Sequence, residues 1–145
     1  MWSHYAAKHR GVAFEFASGG DFVGNAFAVN YSDPLASSDP RFHDALQIRS
    51  SALLSKAASW AGEGEYRVIG SDCGADGTVH TSDGGFARIP EQELIAVYVG
   101  CKMPEPCIRA IKAELQRQRV PVALRRMRQI PGTLRLTHEA VALSE

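Results

Sequence analysis

The sequence predicts an α+β fold with a mainly antiparallel sheet, two substantial helices and a short N-terminal helix. Several short segments alternate apolar and polar residues between glycine turn signals such as Ser18–Asp21 and Asp83–Gly85, a pattern typical of hairpins. Two longer segments, near 40–60 and after Pro104, repeat apolar residues with the 3.6-residue period of a helix. The length of 145 residues is that of a single domain.

The composition is that of an ordinary globular chain, with 45% hydrophobic and 22% charged residues. No run of about 18 apolar residues occurs and no signal-peptide pattern opens the chain, so we expect neither a membrane span nor a secretory leader. The three cysteines, Cys73, Cys101 and Cys107, form no C-x-x-C pair, which argues against a disulfide framework and a cysteine zinc site. We therefore expect a cytoplasmic protein without a metal or other cofactor.

The first part of the chain predicts a short helix followed by a β-hairpin. Residues 2–10 form the expected helix, which Gly11 ends. Val12–Phe16 and Asn25–Tyr31 alternate apolar and polar residues and are expected to pair across the turn at Ser18–Asp21.

A substantial helix is expected over residues 40–60. Asp39 suits the N-cap position and Pro40 suits the first helical position. One stripe of the helix is apolar, formed by Phe42, Leu46, Leu53, Ala57 and Trp60. Gly62 follows the stripe and is expected to end the helix.

The rest of the chain predicts six more strands and the second substantial helix. Strands are expected over 63–69, 78–82, 86–89 and 94–99. Pro104-Glu-Pro106 opens the helix, whose apolar side holds Cys107, Ile108, Ile111 and Leu115. A final hairpin, 122–130 with 133–137, turns at Pro131-Gly132.

The opening segment is the first candidate site. On a helix Trp2, Tyr5 and His9 share a face, and Tyr5 can hydrogen-bond His9, which is suited to general acid–base catalysis near neutral pH. His4 lies about 140° around the helix from His9, so the two histidines are not expected to bind a metal together. The alternative is that Trp2 and Tyr5 are core aromatics and His9 is a buried, hydrogen-bonded imidazole.

The second candidate follows Lys56 and Trp60. On a strand Glu63, Glu65 and Arg67 point to the same side, where two neighbouring carboxylates and an arginine shift each other's pKa. Such coupling suits acid–base chemistry. The alternative is an exposed ion-pair face with no chemical role.

Charge is unevenly distributed along the chain. Residues 1–100 hold 7 basic and 12 acidic residues, whereas residues 101–135 hold 9 basic and 2 acidic ones. The basic stretch 109–128 could bind an anion or nucleic acid. We favour the alternative, a solvated helix face and strand packed against acidic neighbours, because exposed aromatics do not alternate with the arginines.

Four ordered segments resemble one family. They are W-S-H-Y-A-x-x-H-R-G-V from Trp2 to Val12, leading into F-E-F; V-x-Y at Val29–Tyr31 with Pro34; K-x-x-x-W-x-x-E-x-E-x-R from Lys56 to Arg67; and the apolar strand ending at Gly100. Together they are similar to the mainly bacterial family catalogued as domain of unknown function two-nine-seven-one. Two departures stand out: Ala7 replaces a usually acidic residue, and the N-terminal half that members carry ahead of the first segment is missing.

The resemblance implies a bacterial protein associated with phage defence or mobile elements, and it implies no established activity. One hypothesis is an enzyme, or enzyme remnant, that processes a nucleotide or nucleic acid, by analogy with ADP-ribosyltransferase-like folds. Its catalytic candidates are Tyr5, His9, Glu63, Glu65 and Arg67, and its substrate contacts are Trp2, His4, Lys56 and Trp60. The alternative is a non-catalytic module that binds an anion, nucleic acid or protein. A homodimer that covers exposed apolar surface is also possible.

Overall fold

The computed structural model describes residues 2, 5–33, 51–71, 79–82 and 86–143, with the backbone alone described at 70, 71 and 79–82. The chain divides into two compact units. The first combines Met1–Gly20 with Ile89–Glu145, and the second is Asp21–Arg88. The single domain expected from the chain length stays a prediction.

A four-stranded sheet forms the centre of the first unit. Its strands are β1 (Val12–Phe16), β9 (Leu94–Val99), β10 (Ala123–Gln129) and β11 (Leu136–Ala140), in that spatial order. β1 is antiparallel to β9, β10 is parallel to β9, and β11 is antiparallel to β10. The bounds of β1 and β9 confirm the sequence predictions. The final hairpin, β10 with β11, also forms, but its second strand is Leu136–Ala140 instead of 133–137.

The expectation of a mainly antiparallel sheet is wrong, because this sheet is mixed. The helix Glu105–Leu115 connects β9 to β10, and a helical crossover returns the chain in the same direction, so these two strands are parallel. The hairpin expected between β1 and the strand at 25–31 is wrong as well. β1 pairs with β9, far along the chain, and residues 25–31 contribute only short strands to the second unit.

Buried residues from β9, β10 and the long helix form the core of the first unit. Val97 and Val99 of β9 and Leu124 of β10 pack against Ile108 and Leu115 of the helix. The helix begins where the sequence predicts, with Pro104 in an extended conformation before it and Pro106 in its first turn. Cys107, expected on the apolar side, is exposed.

The short N-terminal helix expected over residues 2–10 does not form. Ala7, Lys8 and His9 have φ angles of 46°, 55° and 69°, so three successive non-glycine residues adopt the left-handed conformation. Each such residue costs about 1–2 kcal/mol, which neighbouring contacts must offset. The amides of Arg10 and Gly11 donate to the Ala6 carbonyl at 3.0 and 2.8 Å, and the Lys102 amide donates to the His9 carbonyl at 3.0 Å.

The substantial helix expected over 40–60 does not continue to residue 60. Residues 51–54 are helical, but Ser55–Lys56 is strand β4, and Ala57 is extended. A 3₁₀ helix, Ala58–Glu63, then ends at Gly64 in the left-handed conformation. Residues 40–50 lie outside the described residues. In the described part of the chain, Glu105–Leu115 is the one helix of seven or more residues, and strand pairing overrides the apolar period near residue 55.

The second unit contains short paired strands. Their bounds are β2 Phe27–Ala28, β3 Asn30–Tyr31, β4 Ser55–Lys56, β5 Tyr66–Arg67, β6 Gly70–Ser71, β7 Val79–Ser82 and β8 Phe86–Ala87. β2 pairs with β5 and β7 with β8 in antiparallel fashion, whereas β3 pairs with β4 and β6 with β7 in parallel. The strand expected over 63–69 is reduced to β5, because the 3₁₀ helix continues to Glu63. Two further 3₁₀ turns, Val23–Asn25 and Glu91–Glu93, lie outside these strands.

Candidate functional site

Strand pairing in the second unit gathers the charged residues of the K-x-x-x-W-x-x-E-x-E-x-R segment. In the β3–β4 pair Tyr31 lies opposite Lys56, and in the β2–β5 pair Phe27 lies opposite Arg67. The 3₁₀ helix between β4 and β5 then turns the chain so that Glu63 and Glu65 return toward Lys56. We call Lys56, Glu63, Glu65 and Arg67 the Lys56 cluster.

Every charged group of the Lys56 cluster is paired. Lys56 Nζ donates to Glu63 Oε2 and to Glu65 Oε2, the latter at 3.0 Å. Arg67 holds Glu65 with two donors, Nε to Oε1 at 2.7 Å and Nη2 to Oε2 at 3.1 Å. The four side chains retain between 24% and 32% of their exposure, so the cluster is open to solvent on one side.

Three neighbours fix the cluster in place. The Glu65 amide donates to Tyr31 Oη at 2.7 Å, and Arg67 Nη1 donates to the Leu53 carbonyl. Lys56 Nζ lies 5.1 Å from the centre of the Trp60 ring, which is within the range of a cation–π interaction. Trp60 itself is 49% exposed, so its ring is available to solvent beside the charges.

The pairing moves the pKa values of the cluster away from neutrality. The hydrogen bonds from Arg67 and then Lys56 lower the pKa of Glu65 to about 2. The hydrogen bonds to Glu63 and Glu65 raise the pKa of Lys56 to about 12. Both groups therefore remain ionised across the neutral range, and a general acid or base works best with a pKa near the operating pH. This arrangement is suited to binding by charge rather than to proton transfer.

The opening segment belongs to the first unit, and the helical face that would pair Tyr5 with His9 is absent. Tyr5 is 65% exposed, and Trp2 is half-buried with its carbonyl accepting from the His9 amide at 3.2 Å. His9 is half-buried, and its Nδ1 is enclosed without a hydrogen-bond partner in the described part of the chain. His4 lies outside the described residues. The sequence candidates thus divide between the two units.

A second polar network, which the sequence does not predict, lies on the sheet of the first unit. Tyr98 donates its hydroxyl to Glu15 Oε2 at 2.7 Å and accepts from Arg125 Nη1 at 2.8 Å. His138 meets the Tyr98 ring edge-on, with ring centres 5.3 Å apart. The hydrogen bond to Glu15 raises the pKa of Tyr98, and burial acts in the same direction. Glu15 and Tyr98 are 83 positions apart, so no local sequence signal could have linked them.

Most arginines of the basic stretch are paired with acidic groups. Arg117 pairs with Glu114, Arg126 with Glu105, and Arg128 with Glu139, while Arg125 lies 4.0 Å from Glu15. These pairs match the interpretation favoured from the sequence, in which the helix and strand pack against acidic neighbours. They leave less uncompensated positive charge than the sequence count indicates.

The described ranges contain neither a metal site nor a membrane-spanning helix. No group of three histidine, cysteine or acidic side chains there could hold a metal ion. No helix there is both long enough and apolar enough to cross a bilayer.

No family model, curated protein or solved structure matches the chain. The resemblance to domain of unknown function two-nine-seven-one therefore stays a prediction.

Proposed function

We propose that the protein binds a nucleotide at the Lys56 cluster. One observation carries the proposal: Lys56 Nζ contacts two carboxylates and the ring of Trp60 in a cluster that is partly open to solvent. Cations, carboxylates and an exposed aromatic ring are groups that can contact the phosphate, ribose and base of a nucleotide, and here they lie within one short segment.

Each part of a nucleotide has a suitable partner either in the Lys56 cluster or in the adjacent Trp60. The exposed Trp60 ring offers a surface on which a base can stack. The carboxylates of Glu63 and Glu65 can accept hydrogen bonds from ribose hydroxyls, as acidic residues do in dinucleotide-binding folds. Lys56 and Arg67 are both paired with the glutamates, so a phosphate would compete for N–H donors rather than meet free charge; Arg67 has further N–H donors beyond those it uses on Glu65 and the Leu53 carbonyl.

The ionisation of the cluster supports binding rather than turnover by these groups. With the pKa of Glu65 at about 2 and that of Lys56 at about 12, neither exchanges protons readily near neutral pH. The family resemblance also supports a single site at these residues, because its K-x-x-x-W-x-x-E-x-E-x-R motif comprises the Lys56 cluster together with Trp60. Cys101 and Cys107 are free cysteines, which supports a reducing, cytoplasmic setting for the protein.

Tryptophan fluorescence tests the proposal directly. The chain has two tryptophans, so Trp2→Phe leaves Trp60 as the single reporter. We expect ATP to change the Trp60 emission saturably at low salt, and adenosine or inorganic triphosphate alone to bind more weakly. Lys56→Gln should weaken ATP binding by about tenfold through loss of a charge-assisted contact, whereas Lys56→Arg should retain most of it.

Arg128→Gln provides a matched control, because Arg128 is also paired with a glutamate but belongs to the first unit. This variant should bind ATP as the parent does. Chromatography of the nucleotide after incubation should show it unchanged. The proposal would be abandoned if a folded Trp2→Phe protein gave no saturable response to any nucleotide, or if Arg128→Gln weakened binding as much as Lys56→Gln.

A further inference from the structure

One edge of the sheet in the first unit has backbone groups available for pairing. β1 is the first strand in the sheet, and β9 is its hydrogen-bonded neighbour among the described strands. The Gly100 amide donates to the Gly11 carbonyl at 3.0 Å, so by alternation Ala13 and Glu15 direct their backbone groups toward β9. The N–H and C=O groups of Val12 and Phe14 therefore point away from β9, toward an edge that no other described strand pairs with.

The two edges of the sheet differ in chemistry. β11, at the far edge, is largely exposed and polar, with Thr137, His138 and Glu139 in sequence. β1 instead presents Phe14, whose side chain is 56% exposed. Polar or charged residues protect sheet edges against pairing, and Phe14 at the middle of β1 provides no such protection.

An apolar groove of about 300 Å³ adjoins this edge on the Phe14 face of the sheet. Its apolar lining comes mainly from Phe14, Phe16, Ile89, Leu94, Val120 and Val122. All of these residues belong to the first unit. An exposed aromatic residue beside an apolar groove and an open strand edge is typical of an interaction surface.

We propose that this edge is the interface of a homodimer, in which β1 of one copy pairs antiparallel with β1 of a second copy about a two-fold axis at Phe14. This register pairs all five residues of VAFEF, with Phe14 opposite Phe14 and Ala13 opposite Glu15. A register shifted to centre on Glu15 would place two carboxylates opposite each other, which is unfavourable.

The charges and the apolar groups both fit this register. Glu15 meets only a methyl group across the interface, and its carboxylate already accepts from Tyr98 at 2.7 Å on the opposite sheet face from Phe14. The two Phe14 rings meet on the face that carries the groove, so dimerisation extends the apolar surface of each groove. The contact is small compared with a standard protein interface, so the dimer is expected to dissociate in roughly the micromolar range.

A charge pair at position 13 tests the register. Ala13→Lys places an ammonium opposite Glu15 of the second copy, twice in the symmetric dimer, whereas Ala13→Glu places a carboxylate there. Sedimentation velocity over a concentration series should give a dissociation constant about tenfold lower for Ala13→Lys than for Ala13→Glu. Both side chains are longer than alanine, so an effect of size alone would move the two variants together.

Phe14→Lys should give monomer at every concentration, with circular dichroism reporting whether the fold is retained. Leu134→Lys is the matched control, because Leu134 is 98% exposed and outside the strands, and it should leave the dissociation constant unchanged. A parent protein that is monomeric throughout the series would overturn the proposal. Equal dissociation constants for Ala13→Lys and Ala13→Glu would overturn it as well, even if Phe14→Lys failed to fold.

Discussion

The backbone amide of Glu65 donates to the hydroxyl of Tyr31 at 2.7 Å, across 34 positions of sequence. Tyr31 lies on β3 opposite Lys56 of β4, so one side chain joins the strand pair to the Lys56 cluster. Tyr31 therefore positions the carboxylate that both Lys56 and Arg67 hold. The V-x-Y motif alone does not indicate this role for Tyr31, because its partner Glu65 is distant in sequence.

Replacing Tyr31 by phenylalanine is expected to destabilise the protein by about 1 kcal/mol, because the Glu65 amide loses its acceptor while the ring is retained. Chemical denaturation of the Tyr31→Phe protein measures this loss. Tyr66→Phe removes a hydroxyl from a ring that is 69% exposed and should leave the free energy of unfolding nearly unchanged. Equal losses in the two variants would show that the Tyr31 hydrogen bond contributes no particular stability.

Acid should weaken the Lys56 cluster through Glu65. Its pKa falls from the ordinary 4.5 to about 2 in the folded protein, so its ion pairs stabilise the fold fully above pH 4.5. That contribution is lost as the pH falls toward 2, because the unfolded chain takes up the proton first. Urea denaturation across this range should show a smaller decline in stability for Glu65→Gln than for the parent.

Glu114→Gln is the control for this pH series, because the ion pair of Glu114 with Arg117 is largely exposed and therefore weak. Its acid decline should follow that of the parent. If Glu65→Gln also followed the parent between pH 4.5 and 2, the depressed pKa of Glu65 would be wrong.

Gly100 is expected to tolerate no side chain. A methyl group there would overlap the carbonyl of His9, which is backbone and is already held by the Lys102 amide at 3.0 Å. Gly100→Ala should therefore destabilise the protein by about 1–3 kcal/mol, measured by chemical denaturation. Gly19→Ala, where a methyl meets nothing within 4 Å, should have little effect. An unchanged free energy of unfolding in Gly100→Ala would show that the backbone of His9, in the opening segment, does not pack against Gly100.

Local sequence patterns predicted those strands and helices whose own residues carry the pattern. Alternating residues define β1, the apolar run defines β9, and the prolines at 104 and 106 mark the start of the long helix. The helix expected at 2–10 and the end of the helix expected at 40–60 are wrong for a different reason. Backbone hydrogen bonds to Ala6 and the pairing of β4 with β3 replaced them, and neither is encoded by a period in the sequence.

The sequence groups the residues of the Lys56 cluster correctly, but the shared strand face that it predicts for them does not form. Glu63, Glu65 and Arg67 were grouped as one face of a strand, but Glu63 ends a 3₁₀ helix and Gly64 turns the backbone with a φ of 55°. The residues nevertheless meet, because Lys56 lies between the two carboxylates. The attraction between opposite charges is strong at such short distances. Close spacing along the chain was the reliable part of that prediction.

The sequence by itself determined β1, β9, the hairpin of β10 with β11, the start of the long helix and the charged residues of the Lys56 segment, since each depends on neighbours within a few positions. Only the tertiary structure decided that β1 pairs with β9 and that Tyr98 joins Glu15 to Arg125. It also decided that β1 is the edge strand of this sheet among the described strands, and that it carries the exposed Phe14. Pairing between distant strands depends on packing and on the cost of closing long loops, and these are properties of the whole folded chain.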